Sequence, residues 1–347
     1  MKVWMDGSFA LKNKTGVGAY ILSIRNVIEE LGIKPKMIFC KVFENIPYKA
    51  IPYIIWLNTA FFVKTLLEKP DVIFFPAFFM PFLKRKGTKY ITTIHDLAPY
   101  NREFVNSYIS FIYRLAINIT VKRADTIVTI SETVKRELME KISIPGCKIK
   151  LTYNCPGNHF LNESSINVDD VLQKYKLKDK KYILSVATSN KRKNIFSLIQ
   201  AFELFSNKYP NIKLVLVGTK GNDEKLNLIT NENIIFTGYV KDEELPILYK
   251  HSLMYVFPSL CEGFGIPILE AQSNETPVIV SDIPVFREVA SDGAVFCIPN
   301  PDDIAEKIEL LITNAELRQN LVKKGKQNLT RFSPEILKEQ IKEILNI

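Results

Sequence analysis

Short apolar runs alternate with helical patterns along the whole chain. Eleven runs of five to eight residues, rich in Val, Ile and Phe, are typical of strands that are buried on both faces. These runs are residues 2–6, 36–43, 71–77, 90–95, 126–131, 181–188, 213–218, 233–238, 253–259, 277–282 and 294–299. Helical patterns lie between them, for instance at 18–32, 131–141 and 195–209. The alternation predicts an α/β protein with doubly wound parallel sheets.

The alternation stops at a polar stretch, residues 162–181, and then starts again. A chain of 347 residues is long enough for two domains of ordinary size. We therefore expect an N-terminal domain at 1–165 and a C-terminal domain at 166–347, with a last helix that is able to pack back on the first domain. Ligands of open parallel sheets bind beyond the carboxyl ends of the strands, so we expect a site in a cleft between the domains.

Charge is distributed unevenly between the two halves. Residues 1–160 contain 23 Lys and Arg against 12 Asp and Glu, a net +11, whereas the remaining residues contain 23 against 25, a net −2. A basic half favours an anionic partner, such as nucleic acid, anionic lipid or a phosphorylated substrate, although an ordinary solvated surface explains it equally well. The longest apolar run, residues 50–63, is shorter than the roughly 20 residues that span a bilayer, and it predicts a buried helix.

Metal and disulfide chemistry have little support in the sequence. The five cysteines are scattered and form no CxxC pair, and there are only three histidines. No Asp-x-Asp occurs, so a divalent ion held by carboxylates is not expected. We expect no metal and no resident cofactor.

Unusual residues follow four of the predicted strands. The loop "TGVGAY" opens a helix, and its Gly16 and Gly18 allow backbone N–H groups to approach an anion, although a plain turn also explains them. The segment "KRKN" places Arg192 and Lys193 at a strand end, where they suit a diphosphate or a solvated loop. His95, in "TIHDL", ends another strand and is either a site residue or a structural histidine.

The segment "CEGFGIPILEA" carries the most specific pattern. Pro267 suits the first turn of a helix, because its missing N–H is not needed there. Glu262 precedes that helix and Glu270 lies about one turn inside it, so one carboxylate is available for a sugar and one for a ribose. The alternative is that both are surface charges on a capped helix.

These motifs resemble those of the retaining glycosyltransferases of the GT-B architecture, in family 4. The resemblance rests on "TGVGAY", "TIHDL", "KRKN", "CEGFGIPILEA" and "PVIVSDIPVFREVA", in this order, and extends over nearly the whole chain. It implies two Rossmann-like domains facing a central cleft, with the acceptor side in the first domain and the nucleotide-sugar side in the second.

The resemblance also implies a role for individual residues. Glu262 is similar to the glutamate that contacts the transferred sugar, and His95 to the histidine near the sugar and acceptor. Glu270 resembles the ligand of the donor ribose. The other implied donor-binding positions are Gly16, Arg192 and Lys193 at the phosphates, the backbone at Phe264, Gly265 and Ile266, and Val240 at the nucleobase. Thr15, Ala187 and Cys261 depart from the commoner residues of the family, which weakens inference about the donor more than about the activity.

The expected activity is metal-independent transfer of a hexose, with mannose favoured, from a GDP- or UDP-linked donor to a glycan or lipid-linked acceptor in surface polysaccharide synthesis. A nucleotide-sugar 2-epimerase of the same fold is one alternative. A catalytically silent sugar-binding or nucleic-acid-binding protein is another. We expect a cytoplasmic protein without a nucleic-acid partner. Basic residues near aromatic runs (Lys84, Arg85, Lys86, Lys89, Arg114, Lys122 and Arg123) suggest peripheral attachment to an anionic membrane surface.

Overall fold

The chain folds into two compact units. The computed structural model describes residues 1–10, 16–40, 50–101, 107–161, 166–186, 190–221 and 224–347. The first unit contains Met1–Asn154 together with Ser333–Ile347, and the second unit contains Cys155–Phe332. None of the described helices combines the length and hydropathy needed to cross a bilayer.

The first unit is built on a six-stranded parallel sheet with strand order β2-β1-β3-β4-β5-β6. Its strands are β1 (Val3–Asp6), β2 (Lys36–Ile38), β3 (Val72–Phe75), β4 (Lys89–Ile94), β5 (Thr126–Thr129) and β6 (Ile149–Leu151). Its helices are α1 (Gly16–Glu30), α2 (Ala50–Asn58), α3 (Ala60–Glu68), α4 (Ser107–Arg123), α5 (Glu132–Ile142) and the C-terminal α15 (Pro334–Leu345). Every residue of β1 and β3 is buried, as expected for strands covered by helices on both faces.

The second unit repeats this plan with strand order β12-β11-β10-β7-β8-β9. Its strands are β7 (Lys181–Val186), β8 (Ile212–Val217), β9 (Ile234–Gly238), β10 (Met254–Phe257), β11 (Val278–Ser281) and β12 (Val295–Cys297). Its helices are α6 (Asn158–Leu161), α7 (Val168–Lys174), α8 (Ile195–Ser206), α9 (Glu224–Asn227), α10 (Leu245–Lys250), α11 (Ile266–Ser273), α12 (Pro284–Ala290), α13 (Pro301–Thr313) and α14 (Ala315–Asn328). The predicted α/β class with parallel sheets is confirmed.

The boundary between the units differs from the boundary placed at 165/166. The second unit already begins at Cys155, because the ring of Phe160 packs edge-on against Tyr249, with 5.8 Å between the centroids. At the other end, α15 belongs to the first unit. The backbone N–H of Tyr153 donates to Gln340 Oε1 at 3.0 Å, and Lys89 Nζ donates to the carbonyl of Ile344 at 2.8 Å.

The apolar run at 50–63 does not form one buried helix. The chain breaks at Thr59, whose φ of −121° and ψ of −97° lie outside the helical region, so α2 and α3 are separate. Their inner residues join the core, but Ile51, Ile55 and Val63 remain exposed. The prediction of a buried helix is therefore wrong for the outer half of this run.

Helix α15 should stabilise the first unit through its buried face. Ile341 is buried, so Ile341→Ala is expected to lower the free energy of unfolding by about 2–5 kcal/mol. Both tryptophans, Trp4 and Trp56, lie in the first unit, so denaturation followed by tryptophan fluorescence reports that unit alone. Ile336→Ala on the exposed side of the same helix is the control and should change stability by less than about 0.5 kcal/mol. Equal effects of both substitutions would contradict this packing.

Candidate active site

In the second unit, the basic segment forms a tight turn beyond β7. Residues Lys191–Lys193 form one 3₁₀ turn, and Asn190 Oδ1 accepts a hydrogen bond of 3.0 Å from the backbone N–H of Arg192. The backbone N–H of Leu260 donates to the carbonyl of Arg192 at 2.7 Å. This bond ties the basic turn to the loop that follows β10. The two motifs therefore meet at the carboxyl ends of neighbouring strands, where ligands of open sheets bind.

The two motifs also meet through an ion pair. Lys193 Nζ lies 2.7 Å from Glu262 Oε1, and their side chains are only 21% and 12% exposed. The same ammonium lies 4.8 Å from the centroid of the Phe257 ring, a cation–π contact. Partial burial strengthens such a pair, because the local dielectric is lower than in water. The carboxylate and the ammonium expected to face the donor are thus held side by side.

The loop between Glu262 and α11 depends on one glycine. Gly265 has a φ of +112°, and a Cβ placed there would lie 2.8 Å from Cε1 of Phe286. Phe264 is buried with its ring packed against Phe332, so its side chain is not accessible to a ligand. The backbone N–H of Ile266 starts α11 and has no acceptor within the helix, and the helix dipole favours an anion there. The backbone contacts with the donor that the resemblance implies for Phe264, Gly265 and Ile266 stay a prediction.

Glu270 lies in α11 and is held by a tyrosine. The Tyr249 hydroxyl donates to Glu270 Oε2 at 2.9 Å. Burial raises the pKa of Glu270 to about 7, although this hydrogen bond opposes the shift. Its carboxylate therefore changes charge near neutral pH. Tyr249 cannot be selected from the sequence, because its apolar surroundings are typical of an ordinary core tyrosine.

Val240 follows the edge strand β9, and its side chain is buried. It can meet a nucleobase only through its backbone. The neighbouring Tyr239 is 61% exposed and presents the large side chain at this edge.

In the first unit, helix α1 contacts the histidine through Tyr20. Gly16 begins α1, and one turn later the ring of Tyr20 packs edge-on against His95, with 4.9 Å between the centroids. The Tyr20 hydroxyl lies within hydrogen-bond distance of the hydroxyls of Thr93, at 3.2 Å, and Thr152, at 3.1 Å. Tyr20 was not selected from the sequence, because it shares the apolar face of α1 with core residues.

The protonation of His95 follows from its partner. Its Nε2 lies 2.7 Å from the carbonyl oxygen of Pro76, which can only accept, so Nε2 carries the proton. Burial lowers the pKa of His95, against the opposing effects of this bond and of Asp96. The ring is therefore neutral at pH 7, and its Nδ1 presents a lone pair. Asp96 itself caps the following turn, where its Oδ1 accepts from the N–H of Ala98 at 2.9 Å.

Metal ligands are not grouped in the described part of the chain. Among the described residues there is no cluster of three or more His, Cys, Asp or Glu side chains able to hold an ion.

Comparisons with known proteins match both units. The family described as "Glycosyltransferase Family 4" matches residues 16–155, and "Glycosyl transferases group 1" matches residues 168–328. The chain is 30% identical over 358 aligned positions to the O-antigen chain mannosyltransferase RfbU of Salmonella typhimurium, with 95% of each protein covered. The chain belongs to glycosyltransferase family 4.

Other relatives agree with this assignment. O-antigen chain mannosyltransferase B of Escherichia coli is 30% identical, over 74% of this chain and 69% of its own. Among solved structures, sucrose-phosphate synthase from Thermosynechococcus elongatus has a TM-score of 0.82 at 16% identity, covering 100% of this chain and 98% of its own. WaaG, a glycosyltransferase involved in lipopolysaccharide biosynthesis, has a TM-score of 0.76 at 15% identity and covers 99% of both chains. These likenesses show the GT-B fold, and the resemblance inferred from the motifs is confirmed.

The structure thus groups the predicted site residues by unit. In the second unit, Lys193 and Glu262 are in contact, the loop through Gly265 links Glu262 to α11, and Glu270 lies within that helix. In the first unit, Tyr20 contacts His95, and Gly16 lies one turn before Tyr20 in α1. The individual ligand roles of these residues stay predictions.

Nucleotide affinity should depend on pH through Glu270. With a pKa of about 7, its carboxylate ionises between pH 6 and 8, and a charged acceptor binds ribose hydroxyls more strongly. We expect the calorimetric Kd for GDP or UDP to fall by about three- to tenfold over this range, beyond the change seen in Glu270→Gln. The glutamine variant controls for the phosphate, whose own pKa is about 6. Parallel pH profiles in both proteins would contradict the ribose role.

Ionisation of Glu270 affects the stability of the fold in the opposite direction to nucleotide affinity. Because the folded pKa of Glu270 lies above its ordinary value of 4.5, the folded state holds the proton more tightly. The stability contributed by the neutral carboxyl is therefore lost as pH rises from about 4.5 through 7.

Two glycines should respond differently to alanine. Among the described residues, no heavy atom beyond its chain neighbours and its own helix backbone lies within 4 Å of a Cβ built on Gly16, so Gly16→Ala should keep or slightly raise the melting temperature. If Gly16 approaches a phosphate, kcat/KM for the donor should still fall at least about tenfold. Gly265→Ala is the contrasting control and should lose stability, because of its φ of +112° and its contact with Phe286. An active Gly16→Ala enzyme would exclude the phosphate role.

Proposed function

We propose that this glycosyltransferase moves a hexose, with mannose favoured, from a GDP- or UDP-linked donor to a hydroxyl of a glycan or lipid-linked acceptor in surface polysaccharide synthesis. The contact between Lys193 and Glu262, beside the start of α11, carries the proposal. The relatives named above are mannosyltransferases of the O-antigen chain, which supports mannose. A solved neighbour, HepE of Anabaena, is described with UDP and glucose, which supports a nucleotide-linked donor.

The ion pair suggests how donor binding prepares the site. A diphosphate carries more negative charge than one carboxylate, so it competes with Glu262 for Lys193. As Lys193 turns to the phosphate, the carboxylate of Glu262 gains free acceptor positions for sugar hydroxyls. Arg192 adds a planar donor that matches two phosphate oxygens. Binding of the phosphate and orientation of the sugar are thereby coupled, because Lys193 exchanges Glu262 for the phosphate as its partner.

We further propose that the configuration at the anomeric carbon is retained through reaction on one face of the sugar. The bond between the anomeric carbon and the diphosphate oxygen breaks, and the acceptor oxygen forms the new bond. The acceptor proton passes to the departing phosphate. Arg192, Lys193 and the N–H groups at the start of α11 stabilise the charge that develops on the diphosphate. In this proposal, protein cations act in place of a metal ion.

His95 is proposed to lie near the sugar and the acceptor. Its Nε2–H is engaged with the Pro76 carbonyl, so the neutral ring offers Nδ1 as an acceptor for a hydroxyl. Tyr20 packs against this ring and holds its orientation, which makes Tyr20 a positioning residue.

A donor screen tests the proposal. Wild-type protein with EDTA present should release GDP from GDP-mannose, or UDP from a UDP-hexose, when a mannose-containing glycan acceptor is added. Glu262→Ala should reduce turnover at least about 100-fold while nucleotide binding persists. Glu275→Ala is the matched control, because its pair with Lys326, at 3.1 Å, is exposed at the surface of the same unit.

Three outcomes would count against parts of the proposal. Full turnover by Glu262→Ala would contradict the proposed contact between Glu262 and the sugar. Loss of turnover in EDTA with recovery in manganese would contradict the proposed metal independence. An inverted product, seen by NMR of the new glycosidic bond, would contradict the proposed retention of configuration.

A further inference from the structure

The carboxyl group of Glu270 is held through one of its two oxygens. The Tyr249 hydroxyl donates to Oε2 at 2.9 Å, and no other group in the described part of the chain donates a hydrogen bond to this carboxyl. Tyr249 is fully buried, whereas Glu270 is half-buried. One carboxyl oxygen is therefore bound to the protein interior, and Oε1 remains as an acceptor for a ligand.

Tyr249 is fixed to the helix that carries Glu270. Tyr249 lies in α10, and its carbonyl accepts a hydrogen bond of 2.7 Å from the hydroxyl of Thr276, just after α11. The backbone N–H of Thr276 in turn donates to the carbonyl of Ala271 in α11 at 3.0 Å. The phenol hydroxyl and the backbone of Tyr249 are thus both connected to α11.

The ring of Tyr249 is also held by other aromatic rings. It packs edge-on against Tyr255 and Phe160, with centroid distances of 5.2 Å and 5.8 Å. Tyr255 is fully buried too, but its hydroxyl has no hydrogen-bond partner of normal geometry among the described residues. The two neighbouring tyrosines therefore differ, because only the hydroxyl of Tyr249 is bonded to Glu270.

We propose that Tyr249 is a positioning residue for nucleotide binding, because its hydroxyl holds Oε2 of Glu270 and thereby keeps Oε1 in place for the ligand. This role rests on the proposed contact between Glu270 and the donor ribose. A free glutamate side chain loses rotamer freedom when it binds a diol, and a side chain that is already held loses less. Tyr249 itself does not touch the nucleotide in this proposal.

The same hydrogen bond acts on the charge of Glu270. Burial raises the pKa of Glu270 to about 7, and the bond from Tyr249 opposes this rise because it favours the carboxylate. Asp242, which precedes α10, raises the pKa further through its negative charge. Burial also raises the pKa of Tyr255 in β10 well above its ordinary value, so this phenol stays neutral. Loss of the Tyr249 hydroxyl should therefore raise the pKa of Glu270.

A titration of Glu270 in the nucleotide-free protein is the first test. Carbon-13 NMR of protein labelled at its glutamate carboxyl groups should show a midpoint at about pH 7 for the signal that Glu270→Gln removes. In Tyr249→Phe the midpoint should rise by about one pH unit, because the carboxylate loses a hydrogen bond. Tyr255→Phe is the matched control, since it also removes a buried phenol hydroxyl, and its midpoint should equal that of wild type.

Binding of GDP and UDP is the second test. By calorimetry at pH 7, Tyr249→Phe should raise the Kd of the nucleotide that binds by about three- to tenfold. The pH dependence of this Kd should move to higher pH together with the NMR midpoint. In a Glu270→Gln background, Tyr249→Phe should change the Kd by less than about twofold, because the two residues act as one unit. Phenylalanine keeps the packed ring, so these variants should fold, which circular dichroism checks.

The outcomes separate this role from the proposed function. Equal midpoints in Tyr249→Phe and wild type, or equal shifts in Tyr249→Phe and Tyr255→Phe, would overturn the role of Tyr249. A weaker Kd in Glu270→Gln but not in Tyr249→Phe would overturn it as well, while the ribose contact would stand. If Glu270→Gln kept the affinity and pH profile of wild type, the ribose contact would fail and the positioning role with it.

Discussion

Burial of two parallel sheets on both faces is the constraint on which the rest of this structure depends. When helices cover both faces, side chains along the strands are committed to the core, as in β1 and β3. Polar side chains that could act on a ligand are then possible only where the strands end. His95 follows β4, the basic turn follows β7, and Glu262 follows β10. Residues far apart in the sequence meet because neighbouring parallel strands end at the same edge of a sheet, and the contact between Lys193 and Glu262 shows this directly.

The two glutamates of the second unit have different surroundings, although they lie in one short motif. Glu262 is paired with the ammonium of Lys193 at 2.7 Å. Glu270 accepts a hydrogen bond from the Tyr249 hydroxyl, no ion pair with a described residue is recorded for it, and burial raises its pKa to about 7. One carboxylate is thus held in an ion pair, and the other is sensitive to pH. The spacing of eight residues, which was visible in the sequence, does not reveal this difference.

Much of the fold could be predicted from the sequence, because long apolar strands and helical periods alternate clearly. The strand β6 was missed, since Ile149–Leu151 has only three residues and a lysine at its centre. The segments that contain the candidate site residues could be selected from the sequence, because charged residues and glycines that follow apolar strands are conspicuous. Tyr20 and Tyr249 were missed for the opposite reason. A tyrosine on an apolar helix face is typical of a core residue, and only the folded structure shows that its ring or hydroxyl contacts a candidate site residue.

The apolar run at 50–63 shows that a hydrophobic pattern does not determine which apolar residues become buried. Its inner residues, such as Tyr53 and Leu57, are buried, and the sequence predicts this correctly. Its outer residues, Ile51 and Ile55, are equally apolar and yet exposed, because no element of the described fold covers them. An ordinary surface helix would place charged residues at such positions. The hydrophobic pattern of this run therefore predicts which positions are apolar, but it does not predict which of them the described fold covers.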